Sequence, residues 1–322
     1  MVKKHSITIL KIAVTGAVIV FLIHRLGWRE ILSVMTTAKP QWLLSALGVF
    51  LLSSLIGVVQ WRLLLANRKI PLPFGRACRL YLIGMFFNNF ILGGIVGDVL
   101  KVASIKSRDG KGKAGLAATF LDRFAGLWAM CGFAVVGSII LLVRHGELND
   151  GKVDTAMIAL SATFLLFAGI IVFLVNKPLQ QIFFRLLDLL PFAGKIRIRE
   201  IITEMLFEVH DLHILGKVGT LSTVIQLMRI GVHLLCAHAL GLLNAGNFHY
   251  FFIFVPVIAM LMTLPLPFGV REAAGGTLFA LAGFPEGAAY VMGFLASLVG
   301  IAASFLGGLF YITDRTFLKE QT

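Results

Sequence analysis

The fold class this sequence predicts is all-α: a polytopic helical membrane protein with about six to eight spans plus two broken re-entrant hairpins. Three observations predict it. The 322-residue chain is 58% hydrophobic and only 14% charged, with a mean hydropathy of +0.91, well above what a soluble domain carries. Its apolar runs are continuous and about 20 residues long, the length that crosses a bilayer core, and do not alternate as barrel strands do. Two of the runs are interrupted at membrane depth, one at NNFILGGIVGDVLKV (88–102) and one at PLPFGVREAAGG (265–276). The whole chain, 1–322, is expected to form one transmembrane domain, with no room for a sizeable soluble catalytic domain.

The first span covers residues 7–24. Lys3 and Lys4 precede it as in a signal peptide, but no small-residue cleavage site follows, so it is expected to stay as an uncleaved span. Residues 25–41 form an external connection with a short interfacial helix at Trp28–Met35. The second span runs from Trp42 to Leu65, with Trp42 and Trp61 at interfacial depth. Arg62, Arg68, Lys69, Arg76 and Arg79 then mark a cytoplasmic tract, and Lys101, Lys106, Arg108, Lys111 and Lys113 mark another. A single crossing between two basic loops would leave one of them outside, against the positive-inside bias. Residues 80–100 are therefore expected to enter from the cytoplasm, turn near GGIVG and return.

Further spans are expected at 116–143, 155–175 and 217–243. Between them, residues 176–216 recur in apolar positions at helical spacing and read as cytoplasmic amphipathic helices on the membrane surface. Pro265, Pro267 and Gly269 then break an apolar run, and Arg271–Glu272 open a helix too short to span. Residues 249–285 are thus expected to form a broken hairpin from the external side. The final span is 287–312, which leaves the N- and C-termini cytoplasmic in a multi-pass protein of the bacterial inner membrane.

Charge at these depths carries the chemistry. Asp98, Lys101, Asp122, Arg123, Arg229, Arg271 and Glu272 each cost about 2.5–3.5 kcal/mol at mid-membrane unless paired or hydrated. Three acids against four bases leave one positive charge, which suits an anionic group such as a lipid phosphate. Blander uses exist for each: Lys101 can snorkel, and Asp122 and Arg123 can join a hairpin to a span. As sequence neighbours, these two point to different sides of a helix and need separate partners. Gly93, Gly94 and Gly97 can permit either a turn or close helix packing. The site expected from these residues is a cavity that Asp98 reaches from the cytoplasm, with Arg271 beside it.

Other chemistries find little support. The net charge of +13 and pI near 10.0 follow from basic loops beside apolar spans, not from a nucleic-acid surface. Cys78, Cys131 and Cys236 are far apart and imply neither a disulfide framework nor a zinc site. HExxH, GxSxG and Walker loops are absent. No metal, cofactor or catalytic residue is expected.

The segments NNFILGGIVGDVLKV, LDRFAGL (121–127), PLPFGVREAA and FPEGAAY (284–290) together resemble the lysylphosphatidylglycerol synthase transmembrane family, also described as flippase-like integral membrane proteins. The second broken segment reads PFGVRE where that family often has more glycine before Arg-Glu. The resemblance implies the membrane module without the soluble aminoacyl-transferase domain. The charges at membrane depth and the glycine and proline breaks, read apart from the resemblance, give the expected substrate-binding residues as Asn88, Asn89, Gly93, Gly94, Gly97, Asp98, Lys101, Asp122, Arg123, Arg229, Pro267, Gly269, Arg271 and Glu272. The function expected first is translocation of an anionic lipid, of phospholipid or polyprenyl-phosphate type. A non-catalytic partner of an envelope lipid-modifying enzyme is an alternative, as is an intramembrane headgroup-modifying enzyme with Asp98 or Glu272 as general base.

Overall fold

A computed structural model describes residues 28–90, 96–109, 111–145, 211–261 and 270–313, with isolated positions between 165 and 182. The expected first span, most of the span at 155–175 and most of 176–216 lie outside the described residues, as do Gly93, Gly94, Pro267 and Gly269. Every described element is helical: α1 (Trp28–Thr37), α2 (Pro40–Asn67), α3 (Phe74–Phe90), α4 (Val96–Asp109), α5 (Gly112–His145), α6 (Leu212–Ala239), α7 (His249–Leu261), α8 (Val270–Leu281) and α9 (Glu286–Thr313). Among the described residues four helices, within α2, α5, α6 and α9, are long and apolar enough to cross a membrane.

Local chemistry sets the helix ends. Pro40 opens α2, where its missing N–H costs nothing because first-turn donors have no partner anyway. Asp211 caps α6, its Oδ1 accepting from the backbone N–H groups of His213 and Ile214 at 3.1 Å each. Two glycines in the left-handed region follow helices, Gly241 (φ +69°) after α6 and Gly283 (φ +88°) after α8. Beside them Leu242 N donates to the Ala237 carbonyl at 2.9 Å, and Phe284 N to the Phe279 carbonyl at 3.2 Å. Pro256 sits inside α7, where it has no N–H for the Phe252 carbonyl.

α2 and α6 pack along much of their length, and α5 completes a three-helix wall with them. α3 and α4 pack on one another, α4 also meets α5, and α9 lies between α3 and α8. One apolar cluster, around Ile230, Phe251, Phe279, Phe284 and Met292, joins α6 to α9. A second, around Trp61, Leu65, Ile83, Ile105 and Leu121, joins α2 to α5. Large apolar side chains such as Leu52, Ile139, Phe305 and Leu309 point outward. In a bilayer that outward surface meets acyl chains at no hydrophobic cost.

Two sequence expectations change here. Trp61, expected as an interfacial anchor, is fully buried in the bundle, and its indole N–H donates to Thr119 Oγ1 at 3.0 Å. Lys101, counted with a basic loop, lies on α4 and is 5% exposed, so it does not snorkel.

Glycine permits the closest helix contacts. A Cβ at Gly97 would collide with the Gly84 carbonyl, and one at Gly307 with the Leu82 carbonyl. The first contact brings α4 onto α3, and the second brings α3 onto α9. Gly97→Val is expected to destabilise the purified protein by about 1–3 kcal/mol, seen as a lowered Tm in detergent. Gly231→Ala, where a Cβ meets nothing within 4 Å, is expected to leave Tm unchanged or slightly raised.

Candidate functional site

The site is built where α4 meets α2, α3 and α5. Asn88 near the end of α3 accepts from the Gly97 N–H at 2.8 Å, which holds the first turn of α4. One residue on, Asp98 points into the bundle and is 7% exposed. Its Oδ1 meets Lys101 Nζ at 2.9 Å, one helical turn along α4, while its Oδ2 pairs with Arg123 Nε of α5. One carboxylate thus serves two cations. Lys101 Nζ also lies 5.2 Å from the Trp61 ring centroid and 4.8 Å from that of Tyr81, so aromatic faces supply the rest of its surroundings.

Asp122 takes a different partner from its neighbour, since adjacent side chains point about 100° apart around a helix. Its Oδ1 accepts from Gln60 Nε2 of α2 at 2.9 Å, and Gln60 Oε1 accepts from the Ser222 hydroxyl of α6 at 2.9 Å. This hydrogen-bonded chain ties α5, α2 and α6 together. Further along α6, Arg229 lies over Phe50 of α2, with its guanidinium carbon 5.8 Å from the ring centroid. Tyr81, from α3, is within electrostatic range of Asp98, Asp122, Arg123 and Arg229. The group therefore holds two carboxylates, Asp98 and Asp122, against three cations, Lys101, Arg123 and Arg229.

Glu272 occupies a separate place. It lies on α8, is 6% exposed, and its Oε1 accepts from Ser297 of α9 at 2.6 Å. α9 links it to the first group: the carbonyl of Gly300, one turn beyond Ser297, accepts from Asn89 Nδ2 at 3.4 Å. Phe50 lies 3.6 Å from where a Gly300 Cβ would be. Of the residues named from sequence, Asn88, Gly97, Asp98, Lys101, Asp122 and Arg123 gather around α4, with Asn89 at its edge and Arg229 on α6 over Phe50. The side chain of Arg271 lies outside the described set. Among the described residues, no group of three or more His, Cys, Asp or Glu side chains is placed to hold a metal.

Sequence reasoning missed Gln60, Tyr81, Ser222 and Gln226. A usable signal existed on α6: Ser222, Gln226, Arg229 and His233 recur at four, three and four residues, which places them on one helix face.

A family model described as the lysylphosphatidylglycerol synthase TM region matches residues 8–313. The chain belongs to the lysylphosphatidylglycerol synthase transmembrane family. No curated protein and no solved structure matches it. Membership makes it a multi-pass module of a lipid-related membrane family, and the match takes in every residue of the cluster around α4.

The two acids of this family member should respond differently to neutralisation. Asp98→Asn leaves two cations without their counter-charge, and removing one partner of a buried pair costs up to about 3–5 kcal/mol. Arg123 is 39% exposed, so a loss of about 1–3 kcal/mol is expected. Asp122→Asn keeps an oxygen for the Gln60 amide and should cost under about 1 kcal/mol. Thermal unfolding of both variants in detergent checks the order.

Proposed function

We propose that the protein moves an anionic lipid, of phospholipid or polyprenyl-phosphate type, between the leaflets of the bacterial inner membrane, leaving the lipid chemically unchanged. The observation that carries this reading is the sharing of Asp98. Its side chain is 10% exposed and that of Lys101 is 6%, while Arg123 is 39% exposed and forms the accessible end of the cluster. A headgroup phosphate presents anionic oxygens that a guanidinium can bind in the same forked way as a carboxylate. An arriving phosphate competes with Asp98 for Arg123, and Asp98 keeps Lys101. The cations then have an anionic partner both with and without cargo, so loading avoids the cost of an uncompensated buried charge.

The surrounding architecture suits this role. α3 and α4 act as a hairpin entered from the cytoplasm, the α7–α8 segment acts as its counterpart from the outside, and both termini are cytoplasmic. Such broken elements let a headgroup pass between helices while its acyl or prenyl tails remain in lipid. Exchange between internal and external anions needs no covalent step.

Reconstitution into liposomes with headgroup-labelled lipids tests the proposal, read as loss of outer-leaflet label to an impermeant quencher. Anionic lipids are expected to exchange leaflets in the presence of the protein, and to remain unaltered by mass spectrometry. Arg123→Gln should slow the exchange by about tenfold or more, the worth of a charge-assisted hydrogen bond. Folded protein that leaves every lipid of a broad anionic panel where it started would count against translocation. A chemically modified lipid would point to an enzyme instead.

A further inference from the structure

We infer that Gln226 and Arg229 of α6 form a second, inner oxyanion site that takes a phosphate group, distinct from the Arg123 end of the cluster. The binding site stands on the chemistry of α6; its use as a second station for cargo rests on the translocation reading above.

Arg229 is a cation placed far from either end of its helix, about 25 Å along the axis from Leu212 and about 15 Å from Ala239 at the usual rise per residue. A position like that needs a counter-charge or a purpose. Among the described residues its guanidinium rests on the face of Phe50, and its Nε is buried with no hydrogen-bond partner. Asp98 and Asp122 do not serve it, being engaged by Lys101 and Arg123 and by Gln60.

One turn earlier on the same face, Gln226 repeats the pattern. It is 8% exposed, and its Oε1 is buried without a hydrogen-bond partner among the described residues. Its amide nitrogen lies where a Cβ at Gly126 of α5 would fall, so glycine at that position makes its room. The amide is therefore held by packing and not by hydrogen bonds. Its two ends interchange by rotation, so it can present either N–H or oxygen to a ligand.

Tyr81 connects this place to the outer cluster. Its hydroxyl interacts electrostatically with Asp122, Arg229, Asp98 and Arg123, while Lys101 Nζ sits 4.8 Å from its ring centroid. A carboxylate offers two oxygens in one plane. The tetrahedral oxygens of phosphate can meet the Arg229 fork, the Gln226 amide and the Tyr81 hydroxyl, carried on two helices, at once. A lipid headgroup and free phosphate share that chemistry.

The test is binding to the full-length protein in nanodiscs of zwitterionic lipid, by calorimetry, with two probes: inorganic phosphate and short-chain dihexanoyl phosphatidic acid. Saturable binding is expected for at least one probe, weakened about tenfold or more by Arg229→Gln and by Gln226→Leu, with partial recovery in Arg229→Lys. Binding of the lipid probe alone identifies a headgroup site, and equal binding of inorganic phosphate identifies a free-anion site. Unchanged affinity for both probes in a folded Arg229→Gln protein overturns the inference. If that variant does not fold, Gly126→Ala is read instead, since it displaces the Gln226 amide. Weaker binding then supports the site, and unchanged affinity overturns it. Arg229-dependent binding without leaflet exchange would remove translocation and leave the site. Leaflet exchange with binding indifferent to Arg229 would remove the site alone.

Discussion

Asp98, held between Lys101 and Arg123, is the interaction on which the rest of this structure depends. α4 is the least apolar of the described helices and could not lie inside the bundle on packing alone. It stays there because its one acid near the N-terminus meets a cation one turn along and another from α5. Backbone contact supports the arrangement, since Gly84 and Gly97 let α3 and α4 touch and Asn88 holds the first turn of α4. Buried ion pairs add little net stability over apolar packing, but breaking one is costly. The cluster therefore specifies where α4 sits more than it strengthens the fold.

The same economy holds on α6. Ser222, Gln226, Arg229 and His233 share one face, yet they are treated differently. Ser222 joins the Gln60–Asp122 chain, and His233 Nδ1 lies 3.0 Å from the Arg229 carbonyl. Gln226 and the Arg229 guanidinium keep bonding capacity in hand. A protein selected only for stability would use it, because buried polar groups are normally satisfied. Unused polar capacity inside an apolar bundle is what the proposed phosphate site draws on.

Much of this was legible in the sequence. α2, α5, α6 and α9 follow from apolar runs of spanning length, and each boundary falls within about five residues of expectation, since end residues fray and pattern fades there. The membership of the α4 site was legible too, because charge at membrane depth stands out against apolar surroundings. Its pairing was not. Asp122 and Arg123 visibly needed separate partners, but Gln60 and Asp98 become those partners only through the packing of α2 and α4 on α5. Lys101 was counted both with its basic neighbours downstream and among the charges at membrane depth, and its burial on α4 agrees with the second count. Trp61 was misplaced: tryptophan near a span end favours the headgroup region on average, but here Thr119 accepts its N–H inside. Gln60 and Gln226 hardly alter the hydropathy of their spans and so left little trace.

The most direct test is where a lipid phosphate rests in the intact membrane. A phospholipid carrying a photoreactive group beside its phosphate can be crosslinked in membranes containing this protein, and the adducts mapped by mass spectrometry. The account predicts adducts on peptides containing Tyr81, Arg123 and Arg229, diminished in Arg123→Gln protein. Adducts confined to the outward apolar surface, at residues such as Ile139, Phe305 and Leu309, would contradict it.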